Sequence, residues 1–409
     1  MGFPRVPFFK DLSLSAFTAG FVAVLVGFTS SVAIVFQAAL SFGATPEMVA
    51  SWMWALSIGM GLCTLVPSLW LRKPVMVAWS TPGAAVLAAA GAAGGFGMAD
   101  AVGAFILCAL LITLAGATGW FERVMNHIPL ALASALLAGV LTRFALSGFA
   151  AAQTAAPLVV TMVLSYLLGK RFLPRYAVML TLLVAIVFVA FGAGFKPANI
   201  ALGMTWPVYV APHFSLAAFV SLSLPLFVVT MASQNLPGVA AIQAAGFDDR
   251  RAQGGDAGIP VSKIITLTGL ATLVLAPFGA FALNLSAITA AICMGPEAHA
   301  NPARRYTAAA SCGAIYLVIG LFGAAITGVL TAFPKELVAA IAGLALLGTI
   351  GGALTVALKE EAHREAALIT FLVTLSGVVI ASVGAAFWGV VAGALALWVQ
   401  HYRRKPTSA

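Results

Sequence analysis

The stretch "FVAVLVGFTSSVAIVFQ" (residues 21–37) carries no charge, and most of the chain is built the same way. Apolar runs near twenty residues long recur from residue 16 to residue 399, and they are apolar on every side. A helix needs roughly 20 such residues to cross the hydrocarbon of a bilayer. The strands of a membrane barrel would instead alternate polar and apolar residues. Only 8% of the residues are charged and 62% are hydrophobic, with a mean hydropathy of +1.06. A soluble domain carries about 25% charged residues, so this chain reads as an integral, all-α membrane protein.

Candidate spans are 16–40, 48–69, 75–93, 101–120, 129–146, 156–168, 177–193, 215–245, 259–276, 278–294, 306–327, 334–357, 366–380 and 383–399. That makes fourteen transmembrane segments. With the N-terminus inside, the C-terminus is inside too. Of the 21 Lys and Arg, only Arg143, Lys196 and Lys335 then fall away from the cytoplasmic ends. This is a strong positive-inside pattern. The net charge of +9 is therefore a topology signal and gives no reason to expect nucleic acid. Cys63, Cys108, Cys293 and Cys312 lie in apolar runs without metal spacing, so neither a metal nor a cofactor is expected. The N-terminus shows no signal-peptide cleavage pattern, and the first apolar run reads as a retained helix.

The two halves match each other. Pro74 opens "PVMVAWSTPGAAVLAAAG" and Pro277, 203 residues later, opens "PFGAFALNLSAITAAICMG". Pro129 and Pro334 lead similar segments 205 residues apart, and Gln37 aligns with Gln234 at an offset of 197. With the short spans opening at Ala156 and Ala366, 210 residues apart, four landmarks at a near-constant offset indicate a duplication of seven spans. Seven is odd, so the second copy enters from the opposite side and the repeats are inverted, as in many secondary transporters. Residues 194–214 form the inter-repeat linker, and the repeats' main bodies cover 14–147 and 215–358.

Non-helical backbone at membrane depth survives only inside protein or beside a cavity. The Pro-led segments 75–93 and 278–294, the third and tenth, read as short extended stretches that end at helix starts. Ser80 or Thr81 suits the first helix as N-cap, with Pro82 at its first position. Asn284 or Ser286 suits the second. Two such N-termini brought together make an anion site without Lys or Arg, although capping alone would also explain these residues. The stretch "TMASQNLPG" (230–238) adds Ser233, Gln234 and Asn235 beside a helix-loosening Pro-Gly pair. Interhelical hydrogen bonding is one explanation. A binding site shared with the repeat partner Gln37 is the other. Trp79, Phe281 and Phe28 are candidate aromatic walls.

None of the twelve acidic residues sits in mid-span, although proton-coupled transporters often embed one. Glu297 and His299, in "MGPEAHANP", come closest and are weak candidates for proton coupling; a solvated loop would explain both. Arg143 is the deepest cation, about 21 Å along its helix from Pro129 at 1.5 Å per residue. It either snorkels to the interface or attracts anions. A neutral site framed by helix dipoles suits a small monocarboxylate. Importing an anion against an inside-negative potential costs about 2.3 kcal/mol per 100 mV, and a proton moving with it removes that cost.

On "TMASQNLPGVAAIQAAGF" (230–247), "VAWSTPGAAVL" (77–87) and "LNLSAITAAICMGPEAHANPARRY" (283–306), the chain resembles the benzoate/proton symporter family. That family is related in fold to nucleobase–ascorbate and sulfate permeases. The resemblance implies core and gate domains. Spans 1–4 (14–120) and 8–11 (215–328) would form the core; spans 5–7 (129–193) and 12–14 (334–400) would form the gate. It implies proton-coupled import of benzoate or a similar aromatic monocarboxylate across the bacterial inner membrane. Movement would be elevator-like or rocking, with both termini cytoplasmic. Gln234, Asn235, Ser80, Thr81, Asn284 and Ser286 would bind the carboxylate; Trp79 and Phe28 would contact the ring. Gln234 and Asn284 stand where nucleobase permeases carry acids, which fits a substrate that brings its own charge. A nucleobase or inorganic-anion permease, or a passive anion channel, are the alternatives. No enzyme motif occurs at depth. Oligomeric state stays open, a homodimer included.

Overall fold

The computed structural model describes residues 8–29, 31–126, 128–191, 203–248, 258–323, 334–378, 380 and 385–402. Linker residues 194–202, Lys196, Arg250, Arg251 and both extreme termini lie outside the described residues, as does 328 at the close of span 11.

The main helices are α1 (Leu14–Thr29), α2 (Val32–Ser41), α3 (Pro46–Leu71), α4 (Thr81–Ala93), α5 (Met98–Ala117), α6 (Leu130–Ala150), α7 (Ala152–Phe172) and α8 (Ala177–Phe191). They continue with α9 (Leu216–Ala244), α10 (Val261–Leu275), α11 (Ile288–Met294), α12 (Tyr306–Leu321), α13 (Lys335–Ala357), α14 (Glu361–Ser376) and α15 (Ala385–Tyr402). Each apolar segment of the sequence overlaps at least one of these helices, and segment 16–40 overlaps two. Six of them (α3, α5, α6, α7, α9, and α10 with its 3-10 extension to Phe278) are long and apolar enough to cross a membrane singly. The bent helix α13 makes a seventh. Leu164, Leu167, Phe191, Leu372, Leu395 and Trp398 are exposed on the outer surface, where hydrocarbon rather than water is the natural solvent.

The segment 16–40 is not one helix. It divides at Ser31 into α1 and α2, and the Ser31 hydroxyl donates back to the Gly27 carbonyl at 3.0 Å. The stretch 230–238 behaves differently from a broken helix. Met231–Asn235 widens into a π turn, and α-helical regularity resumes at once through Pro237 to the end of α9. Proline cannot donate to the helical ladder, and a π turn accommodates that loss locally.

The two Pro-led segments meet in the middle of the molecule. Strand β1 (Val77–Trp79) pairs antiparallel with β2 (Leu283–Leu285), with Ala78 opposite Asn284. Ser80 N–H donates to the Ala282 carbonyl at 3.2 Å and Ser286 N–H to the Met76 carbonyl at 3.0 Å, extending the ladder at both ends. The extended backbone is thus satisfied within protein. Gly238 brings α9 directly against β2, since a Cβ there would lie 2.6 Å from the Leu285 Cβ.

Helices pack in two sets around this ladder. α12 lies along α3 and α1, and α10 along α5. Separately, α13 and α14 pack on α6, α15 on α14, and α8 on α7. The two sets touch where α9 meets α6 and α15, where α1 meets α13 and α8, and where α11 meets α13. The described part of the linker runs extended, pinned by Thr205 N–H to the Leu321 carbonyl and by His213 N–H to the Ala99 carbonyl, both at 2.9 Å. Trp52, Phe105 and Phe281 form an aromatic cluster in the first set, with centroids 5.3–5.8 Å apart. Phe281 is therefore a packing residue away from the cavity described next.

Candidate functional site

A cavity of about 590 Å³ opens between the two sets of helices, within the usual range for a small-molecule site. One wall comes from α1, α2, α3, β1, α4, α9, α11 and α12; the other comes from α6, α14 and α15. Val26, Ile34, Val140 and Ile288 make much of the surface apolar, and Trp79 adds an indole. The polar groups are few: Ser31, Thr81, Ser233, Gln234, Ser286, Thr289, Tyr316, Thr374 and Arg143. Among the described residues, no Asp or Glu borders the cavity.

The first wall is built by the β1–α4 junction. Ser80 is fully buried and caps α4. Its hydroxyl oxygen accepts from Gly83 N–H at 3.1 Å and from the Thr230 hydroxyl at 2.9 Å. Ser80 therefore sits behind the cavity and orients the helix, while Thr81 borders the space directly. The first N–H groups of a helix have no partner inside it, and they carry the positive end of its dipole. Trp79 lies with its indole N–H donated to the Ser31 hydroxyl at 2.9 Å. Phe28 packs edge-on behind it, centroids 5.5 Å apart, and does not border the cavity.

The π turn supplies the amide. Ser233 and Gln234 border the cavity, half-buried. Asn235, the next residue, is fully buried and points elsewhere. Its Oδ1 accepts from Leu285 N–H at 2.9 Å, and its Nδ2 lies 3.1 Å from the Met231 sulfur. Asn235 thus fastens β2 to α9.

The second junction departs from the expected cap. Helix α11 begins at Ile288, with Ala287 at the N-cap position and no side-chain cap. Asn284 lies inside β2, fully buried. Its Nδ2 donates to the Ala282 carbonyl at 3.0 Å, and its Oδ1 has no hydrogen-bond partner. Strand pairing turns it away from the cavity. Ser286 does border the cavity and accepts from the Thr289 hydroxyl at 2.7 Å.

Three further candidates lie outside. Gln37 is exposed on α2, about 4.5 Å along the helix from the cavity residue Ile34 at 1.5 Å per residue. The division of the first segment at Ser31 breaks the register that pairs Gln37 with Gln234, so the expected pair of amides does not form. Glu297 is not a solvated loop residue. It is 11% exposed and pairs with Lys170 of α7 at 2.9 Å. His299 is buried and accepts from Asn301 N–H through Nδ1 at 3.0 Å, an acceptor role in a local turn. Ser31, Thr289, Tyr316 and Thr374 also border the cavity, beyond the residues expected from the sequence. The Ser-Ser pair at the centre of the first segment was the one available signal for Ser31.

The benzoate membrane transport protein family matches residues 10–399. The inner membrane protein YdcO of Escherichia coli K12 is 47% identical over 375 residues, covering 92% of this chain and 93% of that protein. The benzoate membrane transport protein of Acinetobacter baylyi is 37% identical over 390 residues, covering 95% of this chain and 96% of that one. The transmembrane domain of a cyanobacterial bicarbonate transporter, BicA, is similar at a TM-score of 0.46 and 14% identity, over 96% of this chain and 98% of that one. With its long apolar helices and this match along nearly its whole length, the chain belongs to the benzoate membrane transport protein family and is a multi-pass membrane transport protein, not an enzyme.

Proposed function

We propose that this protein is a secondary active transporter that imports benzoate or a similar aromatic monocarboxylate with protons across the inner membrane. The cavity carries the reading. Its walls are apolar with an indole at Trp79, its polar groups donate hydrogen bonds or offer neutral amides, and it has no acidic side chain to repel a carboxylate. Thr81 at the head of α4, Gln234 and Ser286 bind the carboxylate on this reading, and Trp79 meets the ring. Ser80, Asn235 and Asn284 hold those groups in place from behind. The name of the Acinetobacter relative points the same way.

The fourteen segments act as two inverted repeats of seven, with both termini cytoplasmic. Residues 14–120 and 215–328 form the core, and 129–193 and 334–400 the gate. The separate packing of the two helix sets supports this division. Movement of core against gate exposes the cavity to each side in turn, and the Lys170–Glu297 pair then bridges the two domains. Co-transport of a proton offsets the electrical cost of importing the anion.

Uptake of labelled benzoate into proteoliposomes tests the proposal. Accumulation driven by an inward proton gradient, competed by salicylate and not by uracil or sulfate, is the expected result. Equal uptake with and without the gradient, reaching only equilibrium, would indicate a passive channel. Competition by uracil or sulfate alone would move the protein to a nucleobase or inorganic-anion permease.

A further inference from the structure

Among the described residues that border the cavity, Arg143 is the one charged side chain. It stands on α6, in the gate wall, whereas Thr81, Gln234 and Ser286 belong to the core wall. Among the described residues, no carboxylate pairs with it. Its place is nevertheless built. Gly377 ends α14 in the left-handed region at φ 70°, and a Cβ there would collide with the Arg143 guanidinium. Glycine is favoured at that position of a helix terminus, and here its bare Cα also makes room for the cation. The guanidinium therefore lies at the C-terminal end of α14, where the helix dipole is negative.

The balance of the cavity then makes chemical sense. The core wall offers donors without formal charge. The gate wall offers one planar cation whose N–H fork can donate to a carboxylate. Among the described residues, neither wall offers a negative charge.

We propose that Arg143 selects the charge of the cargo. Its guanidinium pairs with the substrate carboxylate from the gate wall while Thr81, Gln234 and Ser286 meet it from the core wall. Neutral molecules of the same shape leave the cation unpaired and bind weakly. This rests on the aromatic-anion reading above and deepens it.

The test is equilibrium binding to the purified full-length protein in lipid nanodiscs. The probes are benzoate, its neutral analogue benzamide, sulfate and uracil, with wild type, Arg143→Lys and Arg143→Gln. Wild type is expected to prefer benzoate over benzamide by at least about tenfold. Arg143→Gln is expected to lose about ten- to hundredfold in benzoate affinity, the size of a charge-assisted hydrogen bond, and to lose the preference over benzamide. Arg143→Lys should recover part of both, which a folding defect would not do. Unchanged benzoate affinity and unchanged discrimination in Arg143→Gln would overturn the inference while leaving the transport proposal standing. Wild type that binds sulfate and not benzoate would overturn the substrate assignment alone, and loss of sulfate binding in Arg143→Gln would still uphold the role of Arg143. Wild type that binds only uracil, or none of the four, would overturn both.

Discussion

The two strand-led segments look alike in sequence and differ in how they meet the cavity. After β1, a single residue, Ser80, separates strand from helix, and that residue is the cap. After β2, two residues intervene, Ser286 and Ala287, so the polar side chains fall upstream of the helix start. The first helix runs for 13 residues and the second for 7. Ala282, just ahead of β2, also carries a positive φ of 36°, a costly region for a residue with a Cβ. The first junction is thus a rigid, conventionally capped helix end that presents backbone. The second is shorter, strained and tied down by neighbours, and it presents side chains. One additional residue between strand and helix is enough to change which atoms a repeat can offer.

The comparison can be broken most decisively at Gln234, between the two junctions. Gln234→Ala should lower benzoate uptake by tenfold or more, since a hydrogen bond to a charged group is worth about 1.5–3 kcal/mol. Thermal stability should stay near wild type, because the side chain is half-buried and borders the cavity. Uptake assays beside a melting curve separate the two effects. A large drop in melting temperature would make Gln234 a structural residue.

Asn235→Ala should show the opposite pattern. It leaves the buried Leu285 N–H without its 2.9 Å acceptor, a loss of about 1–3 kcal/mol. Melting temperature should fall, with reduced hydrogen-exchange protection in 283–294. Ser80→Ala strikes the first junction and should cost about 1 kcal/mol, as loss of an N-cap does. Exchange should rise at the start of α4 and not in α11.

A smaller, pH-dependent effect is expected at Asp11, which joins the approaches to both junctions. Its carboxylate accepts from the Tyr306 hydroxyl at 2.7 Å and from Arg72 at 2.8 Å, with Arg304 at 3.2 Å. Arg72 leads toward β1, and Arg304 and Tyr306 follow α11. The Tyr306 hydroxyl and then the two guanidinium groups hold the Asp11 carboxyl below its ordinary value of 3.8, against the cost of burial. A lowered folded-state value stabilises the fold above the unfolded value and loses that contribution as the pH falls through the folded one. Wild type should therefore outlast Asp11→Asn at neutral pH, and the gap should close below about pH 4. Both arginines are about half exposed, so salt should shrink the gap as well. A gap that widened in acid would sink this account.

Much of the site could be read from residue types. Prolines at 74 and 277 marked the backbone that cannot be helical at depth, because lipid leaves unpaired N–H and carbonyl groups no partner. Trp79, Thr81 and Ser286 follow from that marking and Gln234 from the polar run beside Pro237, and the structure places all four at the cavity. Residue type could not say which way a polar side chain points. Gln234 and Asn235 are neighbours of similar chemistry. One borders the cavity and the other holds a strand, since successive residues on a helix point about 100° apart. Gln37 looked equivalent to Gln234 by repeat alignment, but the division of α1 from α2 removed it from the site.

The amino-acid sequence by itself determined the solvent this protein folds in, the positions of its apolar helices, the two places where extended backbone must be paired, and the family. These follow from local hydrophobicity and from proline, which act over a few residues at a time. Tertiary structure alone decided that β1 and β2 pair with Ala78 opposite Asn284, that Glu297 spends its charge on Lys170, and that Arg143 faces the cavity beside a glycine 234 residues away. Each of those outcomes depends on atoms distant in the chain coming within hydrogen-bond or van der Waals reach, and no local pattern encodes that distance.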